Sequence, residues 1–324
     1  MKKLTLISSL LFMFVIFSGA AYAANSKKVL LAVYFDNPDY TTSQNAFRDQ
    51  LEKSSKQASI NIEFMVLDTQ GSKELFIAQL KKMESMVDLI FTAGTPNCLA
   101  IKEANIKKPV IFSAVADPVG AKLVDSLEKP GANFTGSHCS VSADRQLSSL
   151  LYVLPQAKKI GLLFNPDDQA PASQVKSWKK AMATIGLVPL EFTIPKEANT
   201  VDSIAAATKP LVGKVDVIVT LADAKISAFG EGMIAIANTN KIPTYTSLIS
   251  LVRKGALLSV GFDFAEGARA TVPLAIAILK GADPAKLPVT TCPQYRMVIN
   301  ANTARVIGLT VPLAALQTAS EVIE

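Results

Sequence analysis

Residues 87–123 read VDLIFTAGTPNCLAIKEANIKKPVIFSAVADPVGAKL, and this stretch decides the fold. Val87 to Phe91 is a short run of mostly branched apolar side chains, the pattern of a strand covered on both faces. It ends at Gly94-Thr95-Pro96, where Thr95 suits a helix cap and Pro96 the first helical position, since its missing N–H has no helical partner there. A helix to about Asn105, a break at Pro109 and a second apolar run at residues 110–115 complete a β-loop-α-loop-β unit, which within one sheet implies parallel strands and a right-handed crossover. Thr95 then stands at a strand's C-terminal end and a helix's N-terminus, the edge where open α/β sheets take ligands.

The unit has an echo downstream. Val215–Asp223 matches the first strand and its turn, and Lys241–Ser247 matches Lys108–Ser113. Upstream of each lies another matched pair, VLLAVYFDNPD from Val29 and IGLLFNPDD from Ile160. Three echoes in the same order, each about 130 residues apart, imply two lobes of one architecture. The expected fold is α/β: two doubly wound parallel-sheet lobes joined by a hinge, their binding edges facing across a cleft. Lobe one is expected over residues 24–138, completed by about 262–284. Lobe two is expected over residues 139–261, completed by about 285–324. Several crossings between lobes make a hinge on which a cleft shuts.

The 324 residues suffice for two cores. Lys2 and Lys3 precede an apolar run at residues 4–17, and Ala21-Tyr22-Ala23 supplies the small-x-small cleavage pattern, so residues 1–23 read as a signal peptide and the mature chain as secreted. No cysteine follows that run to carry a lipid. Removing Lys2 and Lys3 from the formal charge of +6 leaves +4, scattered as lysine pairs rather than gathered with aromatics into a nucleic-acid face. The three cysteines, Cys98, Cys139 and Cys292, lack metal-type spacing and are expected to be buried free thiols. Trp178, in a lysine-rich helix, reads as packing, and the sequon at Asn133 as structural.

Several motifs in order resemble the periplasmic substrate-binding proteins of ABC transporters, in the subgroup that includes binders of tryptophan and other aromatic amino acids. They are Gly94-Thr95-Pro96, residues 116–121 (ADPVGA), residues 129–136 (KPGANFTG), Leu154-Pro155 before Ile160-Gly161, Lys214-Val215-Asp216, Ile242-Pro243, Leu279-Lys280-Gly281, and Val298-Ile299-Asn300 with Ala304. The resemblance covers nearly all of the mature chain and implies a type I periplasmic binding protein fold. It departs at Asp223-Ala224, where relatives often carry Asp-Asn.

The resemblance implies a solute receptor in the periplasm that binds an amino acid, aromatic by preference, and delivers it as a monomer to a permease with its ATPase, without cofactor or metal. The alternatives are a receptor that presents ligand to a membrane sensor, or the binding of a different small solute. For an amino-acid ligand the carboxylate calls for hydroxyls and helix N–H groups around Thr95. The ammonium calls for a carboxylate, Asp223 first and Asp117 second. Tyr34, Phe35 or Phe262 offers a flat wall for an aromatic side chain. Ser113, Ser137, His138, Asn165 and Ser247 are the expected polar rim. Structural roles compete: Asp117 before Pro118 suits its own turn, Thr95 a cap and His138 a bonded crossover position. An enzyme reading lacks support. Cys98 follows Thr95-Pro96-Asn97, but the matching turn at residues 221–224 has no cysteine for a two-thiol racemase, and no nucleophile elbow, phosphate loop or metal cluster occurs.

Overall fold

A computed structural model describes residues 26–292 and 294–324; the signal-peptide segment lies outside the described residues. The chain builds two sheets of matching plan. The first holds β1 (Lys27–Val33), β2 (Ile62–Asp68), β3 (Leu89–Ala93), β4 (Val110–Val115), β5 (Phe134–His138) and the two-residue β11 (Thr290–Thr291), in the order β11-β5-β4-β3-β1-β2. The second holds β6 (Ile160–Phe164), β7 (Leu190–Thr193), β8 (Val217–Thr220), β9 (Thr244–Thr246), β10 (Leu258–Phe262), β12 (Tyr295–Asn300) and β13 (Glu321–Ile323), in the order β13-β12-β10-β9-β8-β6-β7. The order of β1 to β5 recurs in β6 to β10, and within each set the pairs are parallel. Among the described strands the one antiparallel pair is β10 with β12, and β13, parallel to β12, runs with it against the rest of the second sheet.

Helices cover both faces of each sheet. On the first, α1 (Pro38–Gln57), α10 (Phe264–Ala270) and α11 (Val272–Leu279) bury Phe47, Leu51, Ala268 and Val272 against Leu31, Leu89 and Phe91. On its other face α2 (Lys73–Met83) and α3 (Thr95–Glu103) set Phe76, Leu80 and Ile101 against Leu30, Ile90 and Phe112. The second sheet carries α4 (Ala143–Val153), α5 (Gln169–Thr184), α12 (Ala301–Ile307) and α13 (Leu313–Thr318) on one face. Its other face carries α6 (Val201–Thr208), α8 (Glu231–Thr239) and α9 (Ile249–Arg253), with α7 (Ala224–Phe229) at its edge. Strands buried on both sides are why β1 from Val29, β3 as far as Phe91 and β6 read as apolar runs. Trp178 is fully buried, its indole N–H donating to Gln146 Oε1 at 2.7 Å, and Asn133 donates to the carbonyls of Ile106 and Lys108.

In both sheets the strand order reverses at the first strand, between β1 and β3 and between β6 and β8. The loops leaving these four strands form the crevice that doubly wound sheets use for ligands. The chain passes between sheets three times, after β5, after β10 and after β11. The last passage falls after Cys292, because Thr290 and Thr291 pair with Ser137 and His138; residues 285–291 therefore stay with the first sheet, against the expectation that lobe two resumes at about residue 285.

The cysteine expectation is corrected in the same place. Cys139 and Cys292 form a disulfide across 153 residues of sequence, packed against Phe262 and Phe264, and only Cys98 is free and buried. The bond joins the first and third passages, and Gly267, at the second, has no side chain where a Cβ would lie 2.7 and 2.9 Å from the two sulfurs. Unreduced, denatured protein is expected to titrate one thiol per chain and reduced protein three. Reduction is expected to cost about 2–4 kcal/mol of stability, measured by denaturant unfolding. Three thiols without reductant would contradict the bond.

Candidate functional site

Four helix N-termini from beside the first strands converge on the crevice, α1 and α3 from the first sheet, α5 and α7 from the second; α9 and α10 also start on the lining, at Leu248 and Phe264. Between them lies a cavity lined by residues that include Asp39, Tyr40, Thr95, Asp223, Ser227 and Phe264. It measures about 20 Å³ for the centre of a water-sized sphere, room for water alone. Anything larger enters only when the lobes part.

Three of the four helices are capped by their own side chains. Asn37 Oδ1 accepts from the N–H groups of Asp39 and Tyr40 at the start of α1. Asp168 Oδ1 accepts from Ala170 at the start of α5. Asp223 Oδ1 accepts from Lys225 and Ile226 at the start of α7, while its Oδ2 takes the N–H of Asn165 at 2.6 Å. Helix α3 differs: it begins at Thr95, its cap position is Gly94, and no side chain accepts from its first turn. Thr95 therefore heads the helix instead of capping it, and Pro96 follows one position later than expected. An uncapped N-terminus carries unpaired N–H groups and the positive end of the helix dipole, the complement of an anion.

On the second lobe Asp223 lines the cavity, with Asp168 next to it but off the lining. Asp168 and Asp223 are both buried, and Asp168 Oδ2 also receives the N–H of Ala224 at 3.3 Å. Burial, and then the charge of Asp223, push the Asp168 carboxyl up to about 7, against the pull of its two N–H donors. Burial raises Asp223 as well, opposed by the N–H groups of Asn165, Ile226 and Lys225. Asp39, on α1 of the first lobe, is raised by burial and held by hydroxyls of the second: Ser227 Oγ donates to its Oδ2 at 2.5 Å and Ser250 Oγ at 3.1 Å. Among the described residues no lysine, arginine or histidine lines the cavity. A cavity walled by buried carboxylates with no basic side chain on its lining suits a cation.

The backbone is specialised at two points of the wall. Gly94 has φ +86°, and a Cβ there would fall 2.0 Å from Tyr40 Cζ, so the glycine admits the Tyr40 ring. Ala114, on the lining, has φ +55° where β4 slips register against β5 between Phe112 and Val115. A non-glycine residue in the left-handed region within a strand bulge is the kind of strain that collects at ligand sites.

Of the residues expected from sequence, Thr95 and Asp223 line the cavity together, and Asn165 bonds Asp223 directly. Asp117 stands apart: its Oδ1 takes the N–H of Gly120 in its own turn, and its Oδ2 the hydroxyl of Ser173 from the other lobe. Ser137 donates to Ser113 at 3.4 Å, Gln146 donates to Ser247 at 3.2 Å, and His138 Nδ1 lies 3.4 Å from the Ala116 carbonyl; none of these is on the lining. The aromatic surfaces of the lining are Tyr40 and Phe264. Tyr34 tilts onto Phe76, Phe35 packs on the first lobe's core with its N–H bonded to Asn97, and Phe262 packs on the disulfide. Sequence reasoning does not single out Asp39 or Asp168; an Asn-Pro-Asp triplet follows the first strand of each lobe, at residues 37–39 and 165–167, and it ends on Asp39 in the first lobe but one residue before Asp168 in the second.

Comparison with known proteins places this geometry. A tyrosine-binding protein of Clostridioides difficile is 30% identical over 284 residues, covering 87% of this chain and 81% of its own. The crystal structure of a Streptococcus pneumoniae ABC domain in complex with L-Trp superposes with a TM-score of 0.82 at 29% identity, over 92% of this chain and 100% of the other. A ligand-free, open substrate-binding protein with adhesive properties, from Clostridium difficile, is equally identical at 29% and covers 92% of this chain and 99% of the other, but its TM-score falls to 0.69. At equal identity and coverage the lobes here are disposed more as in the L-Trp complex than as in the open protein, in keeping with the small cavity. Residues 28–323 match the family described as ABC transporter substrate binding protein. The chain belongs to that family: it is a substrate-binding protein of two type I lobes, not an enzyme.

Proposed function

We propose that this protein binds an aromatic amino acid between its lobes, in the periplasm, and hands it as a monomer to the permease of an ABC importer. The observation that carries the reading is the opposition of one uncapped helix, α3 at Thr95, to the buried Asp168–Asp223 pair. An α-amino acid carries its carboxylate and its ammonium on one carbon. For the carboxylate this cleft offers an uncapped helix start, and for the ammonium buried carboxylates, Asp223 of the second lobe and Asp39 of the first. Thr95 and the α3 N–H groups take the carboxylate. Asp223, with Asp168 beside it, takes the ammonium. Tyr40 and Phe264 supply the aromatic walls. The names of the relatives favour an aromatic side chain, one being a tyrosine-binding protein and another a complex with L-Trp. The lobe division follows the sheets: residues 26–138 with 263–292 on one side, residues 139–262 with 294–324 on the other.

A thermal-shift screen of the mature chain against amino acids, peptides, nucleobases and sugars tests this. Ligand at about a hundred times Kd adds about 2.7 kcal/mol, a rise of several degrees. The rise is expected with tyrosine, tryptophan or phenylalanine. A rise confined to sugars or nucleobases would overturn the ligand while leaving the family intact.

A further inference from the structure

Away from the cavity the lobes touch through a second carboxylate–serine pair. Asp117, in the loop after β4, accepts from Ser173 Oγ of α5 at 3.0 Å. The contact is prepared on both sides. The N–H of Gly120 at 2.8 Å from Asp117 Oδ1 turns the carboxylate outward. Gly120 leaves the room it occupies: a Cβ there would lie 2.1 Å from Asp117 Oδ2. Ser173 sits on the first turn or two of α5, the helix that Asp168 caps and whose Ala170 lines the cavity, while the next residue, Gln174, accepts the N–H of Ala222 beside Asp223. The serine thus rides on the element that carries half of the acidic pair.

We infer that Asp117 and Ser173 form a closure clasp, a pair of positioning residues that sets how long the cleft holds its ligand without touching it. Because the partners belong to different lobes, their hydrogen bond exists only while the lobes are together. An interaction made only in the closed state weights the closed population and with it the apparent affinity. Ligand meets the open cleft before the clasp forms, so the effect falls on dissociation and leaves association alone. A charge-assisted hydrogen bond at a half-exposed site is worth about a fivefold change in lifetime.

The inference rests on the cleft being the ligand site, and its test separates the two. Ser173→Ala suits a helix and removes only the hydroxyl; Ser173→Thr restores one; Gly120→Ala displaces the Asp117 carboxylate from the other lobe. Stopped-flow release of the amino acid that shifts the parent's melting temperature is expected to be about fivefold faster in Ser173→Ala and in Gly120→Ala. Association should stay within about twofold, and Ser173→Thr should return release toward the parent. Equal release rates in all four proteins would overturn the clasp. If no amino acid binds the parent, the ligand reading fails by itself. The clasp is then judged by distances between spin labels at the exposed Lys82 and Lys180, one on each lobe. A longer distribution in Ser173→Ala supports it, and an unchanged one overturns it.

Discussion

Replacing Asp223 by alanine is expected to lower affinity for an aromatic amino acid by about a hundredfold or more, and to cost about 2–4 kcal/mol of stability. The carboxylate accepts three backbone N–H groups, from Asn165, Lys225 and Ile226, at a position 1% exposed. Alanine leaves all three buried and unpaired, and it frees the loop after β6 from the start of α7. Asp223→Asn separates structure from charge. It keeps an acceptor for Lys225 and Ile226, loses the bond to Asn165 and costs about 1–2 kcal/mol, yet it removes the negative charge that faces an ammonium. Binding is expected to weaken about 10- to 100-fold in this variant too, measured calorimetrically at a temperature where both proteins are folded. Parental affinity in Asp223→Asn would remove the ammonium from this residue.

The same pair makes binding depend on pH. With Asp168 titrating at about 7, the ligand-free cleft carries a proton on the acid side of that value. An ammonium favours the ionised pair, so affinity is full above about pH 7 and weakens as pH falls through it, with a proton released on binding. The stability of the ligand-free protein moves the opposite way. A carboxyl raised in the folded state binds protons that the unfolded chain has already lost, so stability falls as pH rises from the ordinary carboxylate range toward 7.

Gly94→Ala is expected to abolish binding and to destabilise the chain by about 2–4 kcal/mol. Two costs coincide at this position. Its backbone, φ +86° and ψ 146°, lies in a region open essentially to glycine alone, and the added methyl would overlap the Tyr40 ring, with atoms at 2.0, 2.3 and 2.5 Å. Tyr40 is fixed from behind by the Asn37 cap and by the first-lobe core, so its ring yields only toward the cavity, which it then fills. Gly186 provides the control: it also has positive φ, at +73°, but a Cβ added there would meet nothing within 4 Å, so Gly186→Ala bears the conformational cost without the overlap. Chemical denaturation of the two variants should separate them by at least about 1 kcal/mol, and only Gly94→Ala should lose ligand.

The two-lobed fold was legible because its strands are buried on both faces, which writes them into the sequence as apolar runs, and because the echo between Val29 and Ile160 preserved their order. The edge was legible for the same reason: a strand that stops at Gly94 or Asp223 fixes where its loop must lie. Side-chain direction at that edge was not. Phe262 ends β10 and packs on the disulfide off the lining, whereas Phe264, two residues on, opens α10 and lines the cavity as well as meeting the disulfide. The change from strand to helix at Asp263 decides which ring faces in, and apolar pattern does not report it. Tyr40 is missed from sequence because α1 starts at Pro38, so the ring belongs to the first turn of a helix and not to the loop that leaves β1. The partnership of Cys139 with Cys292 depends on two passages between lobes meeting at one hinge, a relation no spacing rule contains. The bulge at Ala114 leaves no mark in a sequence that reads as plain strand.

Titration calorimetry of the mature protein at pH 8 with L-tryptophan, L-tyrosine and L-phenylalanine, beside leucine and glucose, meets the central claim most directly. The expected result is saturable one-to-one binding of at least one aromatic amino acid, tighter than leucine, with no heat from glucose, and a Kd about 10- to 100-fold weaker in Asp223→Asn. Tight binding of leucine or glucose in preference to every aromatic amino acid, or an aromatic ligand held equally well without the Asp223 charge, would contradict the account of this cleft.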